Sequence, residues 1–167
     1  NGLGASYDQV KQDNQGIISL FQGQHHTAQA SPSIPNIQNS DYRPNYVISM
    51  HLDKNDRLWV GTWGGGLSML DTRTMKFRNF TMKDGLPGNF ILSLESDASG
   101  GLWIGTNDGL SRFDGTTFQN FSAINGLKSK FIFSIEAASD HSLWVGGNGS
   151  LTRMILNPST GIPMSIN

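Results

Sequence analysis

One short motif occurs three times in this chain and constrains its fold more than any other feature. The sequence Leu-Trp-(Val/Ile)-Gly appears with its tryptophans at Trp59, Trp103 and Trp144, which are 44 and then 41 residues apart. A strand-forming motif that returns about every 40–45 residues is typical of proteins in which each repeat builds one four-stranded propeller blade. The repeat therefore predicts an all-β fold, a β-propeller made of four-stranded antiparallel blades.

The repeat extends to both sides of each tryptophan. Apolar runs begin 12 residues upstream, at Val47, Ile91 and Ile132, and further runs follow downstream. The runs are rich in β-branched and aromatic residues and are separated by Gly, Asp, Asn and Ser, which predicts four antiparallel strands in each unit. A weaker copy precedes them. We therefore divide a single domain, residues 1–167, into blade units at about 1–41, 42–85, 86–126 and 127–167.

The number of units leaves the closure of the ring open. Four blades can close on themselves, the chain can be an arc of a larger propeller, or two chains can pair to complete a ring. The chain starts at Asn1 without an initiator Met, and we expect it to be part of something longer.

The spacing that repeats from unit to unit also predicts how the blades pack. We expect the tryptophan of each unit to lie between adjacent sheets, where it fills the gap that radial packing creates. The glycine two positions later, at Gly61, Gly105 and Gly146, is expected to mark a close approach of backbone or a bulge.

Composition excludes several classes of function. The formal net charge is −1, which gives no reason to expect nucleic acid or an anionic membrane as partner. Cysteine is absent, so disulfides and thiolate metal sites are excluded. No apolar run approaches the roughly 18 residues that span a bilayer, so direct membrane insertion is not expected.

The sequence contains no arrangement of residues typical of a catalytic or metal-binding site. His25 and His26 are adjacent, and adjacent strand residues point to opposite faces, so they do not chelate one ion. The segments 53–56 and 97–100 have the composition of a calcium loop but lack its full set of ligands, and turn formation explains them better. We therefore predict no catalytic residue, no metal site and no cofactor.

Trp63 differs from the other tryptophans, because it lies in the loop between the second and third strands of its unit. Such loops lie at the same end as the connections between blades. An indole beside amide side chains suits a sugar ring, since it offers apolar area while the amides bond the hydroxyls. The alternative is that Trp63 packs on its own turn or on the adjacent blade. The predicted ligand-binding residues are Asn45, Trp63, Asn89, Asn107, Asp108 and Asn148.

The repeat resembles the two-component regulator propeller repeat, with the pattern D-G-L-P-x-N…L-W-I-G-T-x-x-G-L-x-R-F-D. Residues 84–89, 102–106 and 109–114 match it almost throughout. The second unit departs at Arg57, where a turn glycine is usual, and the fourth has Ala138 and Gly147 in place of Asp and Thr. The resemblance is strong over about residues 42–157 and weak over 1–41.

The resemblance implies a function as well as a fold. Such propellers typically form the periplasmic or extracellular sensor region of a membrane-anchored hybrid histidine kinase, and many respond to products of polysaccharide breakdown. They commonly have seven blades, and signalling usually goes with dimerisation. The resemblance thus implies an oligosaccharide or other small ligand, and a second copy or neighbouring propeller and signalling domains as partners.

Three hypotheses follow for the chain itself. The first is a non-catalytic sensory propeller that binds a ligand and belongs to a parent protein with a kinase region. The second is a structural or protein-interaction module, for which the exposed rim is sufficient. The third is a propeller lyase or glycosidase, which the poor supply of histidine makes the least favoured.

Overall fold

The computed structural model describes residues 46–167, so the predicted unit at 1–41 and the predicted ligand residue Asn45 lie outside the described residues. Within this range the chain forms three four-stranded antiparallel sheets, which we number 2, 3 and 4 after the sequence units. Sheet 2 contains β1 (Val47–Leu52), β2 (Arg57–Thr62), β3 (Leu67–Asp71) and β4 (Lys76–Phe80). Sheet 3 contains β5 (Ile91–Ser96), β6 (Leu102–Thr106), β7 (Gly109–Phe113) and β8 (Phe118–Phe121). Sheet 4 contains β9 (Ile132–Ala137), β10 (Ser142–Gly147), β11 (Ser150–Leu156) and β12 (Pro163–Ile166).

Each sheet is a simple meander in which consecutive strands pair. Neighbouring sheets approach each other along their first two strands, whereas the third and fourth strands lie further apart. Sheets that meet along their first strands and diverge toward their last are arranged as the blades of a propeller. The prediction of an all-β propeller fold with four-stranded blades is therefore confirmed for the described residues.

The three sheets share one strand register, which fixes what each face presents. Opposite partners are Met50 and Val60 in sheet 2, and the same positions pair in sheets 3 and 4. Since side chains alternate between the faces of a strand, each sheet has two distinct faces. We call the side that carries Trp59, Trp103 or Trp144 the tryptophan face, and the opposite side the aliphatic face.

The hydrophobic core consists of two seams between sheets. In one, Trp59 and Phe80 of the tryptophan face of sheet 2 pack on the aliphatic face of sheet 3, where the Trp59 ring meets the Phe113 ring edge-on at 5.7 Å. In the other, Trp103 packs on the aliphatic face of sheet 4. Trp59 and Trp103 are fully buried. A tryptophan face thus always meets an aliphatic face in the described residues.

The expectation that every repeated tryptophan lies between two sheets is wrong for Trp144. Its side chain is 37% exposed, whereas Trp59 and Trp103 are 0% exposed. The reason is its place in the order of the sheets: no sheet within residues 46–167 faces the tryptophan face of sheet 4. The tryptophan of the motif is therefore fully buried only where a neighbouring sheet covers it.

The expected close approach at the repeated glycines is confirmed. A Cβ atom added at Gly61 would lie 2.6 Å from Ile91 Cγ2, and one at Gly105 would lie 2.6 Å from the carbonyl oxygen of Ile132. Both of these atoms belong to the next sheet, and a serine Oγ of the same sheet, that of Ser49 or Ser93, lies closer still. Gly146 meets atoms of Ser134 in its own sheet. The glycines of sheets 2 and 3 therefore allow the first strand of the following blade to pack against them.

Short 3-10 turns connect the sheets, and the sequence analysis missed them. In the first, residues 82–84, the Thr81 hydroxyl accepts a bond from Lys83 N and the Asp84 carboxylate accepts one from Thr81 N. Gly85 follows in the left-handed region at φ 109°. The signal is the capping box, Thr-x-x-Asp before glycine, which is repeated as Ser-x-x-Asn at 122–125. The turns bring Leu86 and its counterpart Leu127 into the two seams.

Candidate functional site

The loops that the sequence singled out lie along one edge of the sheets. We define this loop edge as the β2–β3, β6–β7 and β10–β11 loops together with the connections that precede β5 and β9. Asn107 N donates to the Phe90 carbonyl at 3.2 Å, and Asn148 N donates to Ser129 Oγ at 3.1 Å. Each loop is thereby tied to the start of its own blade. The prediction that these loops and the connections share one end is confirmed.

Trp63 is half-buried and packs across the boundary between sheets 2 and 3. Its ring meets the Phe90 ring at 5.1 Å with an angle of 89° between the planes, and the two residues form an isolated β-bridge. Trp63 N also donates to the Tyr46 carbonyl at 2.8 Å. The contact with the adjacent blade is the one that the alternative interpretation expected. It fixes the indole, and the residue as a whole is only half-buried.

Asn89 lies inside the protein, with an exposed fraction of 1%. Its Oδ1 atom accepts a bond from Met82 N at 2.9 Å, and its carbonyl accepts one from Gly66 N at 2.9 Å. The Nδ2 atom is buried without a hydrogen-bond partner. Asn89 therefore joins the 3-10 turn to the β2–β3 loop, and its side chain does not reach the surface of the loop edge.

Three further predicted residues line the loop edge. Asn107 is half-buried, and its Oδ1 atom accepts a hydrogen bond from Phe90 N at 3.3 Å. The Asp108 side chain is 50% exposed and pairs with Lys130 at 3.0 Å, while Asn148 is exposed. Trp63 and Asn107 thus both contact Phe90, Trp63 at the ring and Asn107 at the backbone amide. An exposed pair such as Asp108–Lys130 contributes little to stability.

The opposite edge of the sheets shows what the aspartates of the Asp53 and Asp97 turns do. Asp53 Oδ2 accepts a bond from Trp59 Nε1 at 2.8 Å, and Asp97 Oδ2 accepts one from Trp103 Nε1 at 3.0 Å. The same carboxylates also accept bonds from turn amides. The interpretation of these segments as turns is confirmed. The sequence analysis missed the bond to the indole, whose signal is an Asp six residues before the Trp.

The Asp97 carboxylate is part of a buried ion pair. Arg112 Nε donates to Asp97 Oδ2 at 2.7 Å, and the two side chains are only 7% and 3% exposed. Burial raises the pKa of Asp97, but hydrogen bonds from Arg112 and Ser99 and the Arg112 charge outweigh it, so the net pKa is lowered. The fourth unit has Ala138 at the equivalent position, so this carboxylate is missing there.

A groove lies between sheets 3 and 4 at the edge opposite to Trp63. It is lined by Asp97, Ser99, His141, Ser142 and Asn157 among others. The Asp97 carboxylate accepts hydrogen bonds from Arg112 and Trp103, and the Ser142 hydroxyl donates one to Asp140. Asp97, Ser99 and Ser142 therefore already have partners within the protein, which makes these groups less available to a ligand.

Two kinds of feature are absent from residues 46–167. No group of three or more His, Cys, Asp and Glu side chains in this range is placed to hold a metal ion. None of the helices in this range has the length and apolar character needed to cross a membrane.

The repeats are similar to those of a known family and to parts of several solved structures. The family model for the two component regulator propeller matches residues 41–64 and 85–108. No curated protein matches the chain. Among solved structures, the chain is similar to the extracellular domain of BT3049 from B. thetaiotaomicron, assigned as a hybrid two component system, with 26% identity and a TM-score of 0.60. This similarity covers 77% of our chain and 18% of that chain.

A second protein of the same organism gives the same result. The extracellular domain of BT4673, assigned as a one component system in one structure and as a hybrid two component system in another, is 27% identical over 75% of our chain. The TM-scores are 0.60 and 0.59, and the match covers 17% of that chain in both cases. The chain thus spans less than a fifth of the length of these structures. Residues 41–64 and 85–108 thus match the two component regulator propeller model, and residues 46–167 form blades of a β-propeller.

Proposed function

We propose that this chain is the sensory part of a signalling protein, a non-catalytic propeller that binds a ligand outside the cytoplasm, in the periplasm or at the cell surface. Two observations support the proposal. The repeats are those of the two component regulator propeller, and the similar solved structures are extracellular domains of proteins assigned to two component and one component systems. A sensor of this kind needs a rigid scaffold with variable loops, which propeller blades provide.

The proposed ligand site is the loop edge around Trp63. The observation that carries it is the half-buried Trp63, whose indole meets Phe90 edge-on while Asn107 bonds to the backbone of the same Phe90. Asp108 and Asn148 add exposed polar groups along the same edge. Asn89 is left out of the proposed contacts because it is buried, and Asn45 lies outside the described residues.

A glycan-related ligand fits this chemistry best. A sugar ring presents an apolar face that packs on an indole and hydroxyls that exchange hydrogen bonds with amides and carboxylates. The loop edge offers one such indole beside amide and carboxylate groups, and its charged pair Asp108–Lys130 is neutral overall. These features favour an uncharged or weakly charged oligosaccharide over a phosphate-rich ligand.

Isothermal titration calorimetry with a panel of neutral and acidic oligosaccharides tests the proposal. Trp63→Ala is expected to abolish the binding heat, and Asn148→Ala is expected to weaken binding about 5- to 30-fold, because a hydrogen bond contributes about 1–2 kcal/mol. Met75→Ala, a substitution of an exposed residue in the β3–β4 turn, is the control.

The melting temperature separates a lost site from a lost fold. Trp63→Ala with an unchanged melting temperature and no heat supports the site. Heat that is unaffected by Trp63→Ala places the ligand elsewhere, and an absence of heat with every oligosaccharide contradicts the glycan proposal.

A second candidate function is a protein-interaction module. The observation that favours it is the presence of large apolar side chains on uncovered sheet faces, such as Met50, which is 66% exposed, and Leu151, which is 57% exposed. Exposed apolar patches of this kind mark interaction surfaces.

A further inference from the structure

Asparagine followed directly by glycine occurs at two places within the described residues, and the two pairs have different surroundings. Asn125 and Gly126 lie in the 3-10 turn between sheets 3 and 4, whereas Asn148 and Gly149 form the short loop between β10 and β11. A further such pair, residues 1–2, lies outside the described residues. The pair has a chemistry of its own, because glycine has no Cβ and leaves its backbone nitrogen open to the side chain that precedes it.

The reaction open to such a pair is deamidation, the conversion of the asparagine amide to a carboxylate. The backbone nitrogen of the glycine attacks the side-chain Cγ atom of the asparagine, so that a new C–N bond closes a cyclic imide. The bond between Cγ and Nδ2 breaks, and Nδ2 leaves as ammonia with the proton that the glycine nitrogen gives up. Water then opens the imide to aspartate or isoaspartate. An amide and a water are thus converted to a carboxylic acid and ammonia, and no oxidant or reductant is needed.

In the loop between β10 and β11, both reacting groups are available. The Asn148 carboxamide and the Gly149 N–H make no hydrogen bond within residues 46–167, whereas Asn148 N donates to Ser129 Oγ at 3.1 Å. Asn148 and Gly149 are both exposed. Gly149 lies in the left-handed region at φ 62°, and a Cβ atom added there would have nothing within 4 Å. The loop therefore has the space that the side chain needs to approach the backbone nitrogen.

In the 3-10 turn, the same two groups are held by hydrogen bonds. Asn125 Oδ1 accepts a bond from Ser122 N at 3.0 Å, and Gly126 N donates to the Ala123 carbonyl at 3.0 Å. The attack of Gly126 N on the Asn125 side chain therefore requires both bonds to open first. Opening two such bonds lowers the population that can react about 10-fold or more.

We propose that Asn148 is a site of spontaneous modification, at which an amide of the loop edge is converted to a carboxylate in the folded protein. Asn125 has the same neighbour in the sequence and is protected by the hydrogen bonds of its turn. The difference between the two sites thus comes from the structure, since the dipeptide is the same in both.

The modification changes the chemistry of the loop edge. An amide both donates and accepts hydrogen bonds, whereas a carboxylate only accepts them and carries a negative charge. Asp108, on the corresponding loop of sheet 3, already supplies one carboxylate, which pairs with Lys130 at 3.0 Å. The consequence for binding rests on the function proposed above: the lost donor and the new charge are expected to weaken binding of an uncharged oligosaccharide about 5- to 30-fold.

Peptide mapping by mass spectrometry, after incubation of the whole chain in mildly alkaline buffer, tests the proposal. In the folded chain, conversion at Asn148 is expected to be about 10-fold or more faster than at Asn125. In guanidinium chloride, where both pairs are open to solvent, the two rates are expected to agree within about 2-fold.

Gly149→Ala is the matched control. The new Cβ has room in the loop and hinders attack at the same backbone nitrogen, so conversion at Asn148 is expected to be lost over the same time while that at Asn125 is unchanged. Asn148→Gln, whose longer side chain forms the imide far more slowly, takes its place if Gly149→Ala lowers the melting temperature.

Equal rates at the two sites in the folded chain would overturn the proposal, as would an Asn148 that remains an amide. A difference that persists in guanidinium chloride would also overturn it, because the local sequence would then be the cause. Calorimetry with the oligosaccharide panel, before and after incubation, measures the effect on binding separately. Wild type is expected to lose affinity as it converts, while Gly149→Ala keeps its own. No heat with the fresh chain contradicts the glycan proposal, while the mass data still decide whether Asn148 is modified.

Discussion

Trp103 and Trp144 come from the same motif and have different surroundings. Trp103 is 0% exposed, its indole N–H bonds to Asp97, and Arg112 lies over its ring. Trp144 has the stacked arginine but is 37% exposed, and alanine occupies the position of the aspartate. The comparison teaches that the motif builds one half of a seam. The neighbouring sheet supplies the other half, and with it most of the burial.

The largest predicted difference between the two sites is in stability. Trp103→Ala is expected to lower the free energy of unfolding by about 3–5 kcal/mol, because it removes a fully buried aromatic ring and leaves a cavity. Trp144→Ala is expected to cost about 1 kcal/mol or less, because this ring is only partly covered. Urea unfolding measures both values, and equal losses at the two sites would contradict the comparison.

The next effect concerns the buried ion pair of sheet 3. Asp97→Asn is expected to cost about 3 kcal/mol at neutral pH, because it leaves the buried Arg112 charge without its carboxylate. Ser139→Asn, an exposed substitution in the equivalent turn of sheet 4, is a control expected to change stability by less than about 0.5 kcal/mol.

The same pair predicts a pH dependence with a definite sign. The pKa of Asp97 is lower in the folded state than its ordinary value, so the folded state favours the ionised carboxylate. This contribution is fully present above the unfolded-state pKa of about 4 and is lost as the pH falls through the folded-state value. The stability difference between wild type and Asp97→Asn is therefore expected to be constant from about pH 7 to 5 and to shrink below about pH 4. A difference that grows on acidification would contradict this sign.

The repeated glycines give a smaller contrast. Gly105→Ala is expected to cost about 1–3 kcal/mol, since the new Cβ would lie 2.6 Å from the Ile132 carbonyl oxygen of the next sheet. Gly146→Ala is expected to cost less, because the three atoms nearest to its Cβ all belong to Ser134 of the same sheet, whereas the Cβ at Gly105 would meet both Ser93 of its own sheet and Ile132 of the next. Thermal unfolding of both variants tests the difference, and a larger loss at Gly146 would show that the next sheet is not the cause.

Restoring the missing aspartate is expected to stabilise sheet 4. Arg153 Nε is buried without a partner, whereas Arg112 Nε donates to Asp97 in sheet 3. Ala138→Asp places a carboxylate at the position of Asp97, where it can accept from Arg153 Nε and from the Trp144 indole. A gain of about 1 kcal/mol is expected, the value of satisfying one buried polar group. Ala138→Asn is the control for the charge, and a loss of stability with Asp would contradict the inferred geometry.

The sequence predicted those features that depend on local pattern. The strands and the tight approach at Gly105 follow from residues that repeat at fixed spacing. The bond between Asp97 and the Trp103 indole also has a signal, the six-residue spacing, whose meaning is clear only once the turn geometry is known. The exposure of Trp144 could not be predicted, because it depends on which sheets surround it. The burial of Asn89 likewise depends on a bond to a turn that the strand pattern did not reveal.

Hydrogen exchange of the indole N–H groups, followed by NMR, tests the central claim most directly. If the neighbouring sheet is what buries the repeated tryptophan, the Nε1–H groups of Trp59 and Trp103 are strongly protected, while that of Trp144 exchanges at the rate of an exposed indole. Equal protection of Trp103 and Trp144 would contradict the claim, because the motif alone would then be sufficient for burial.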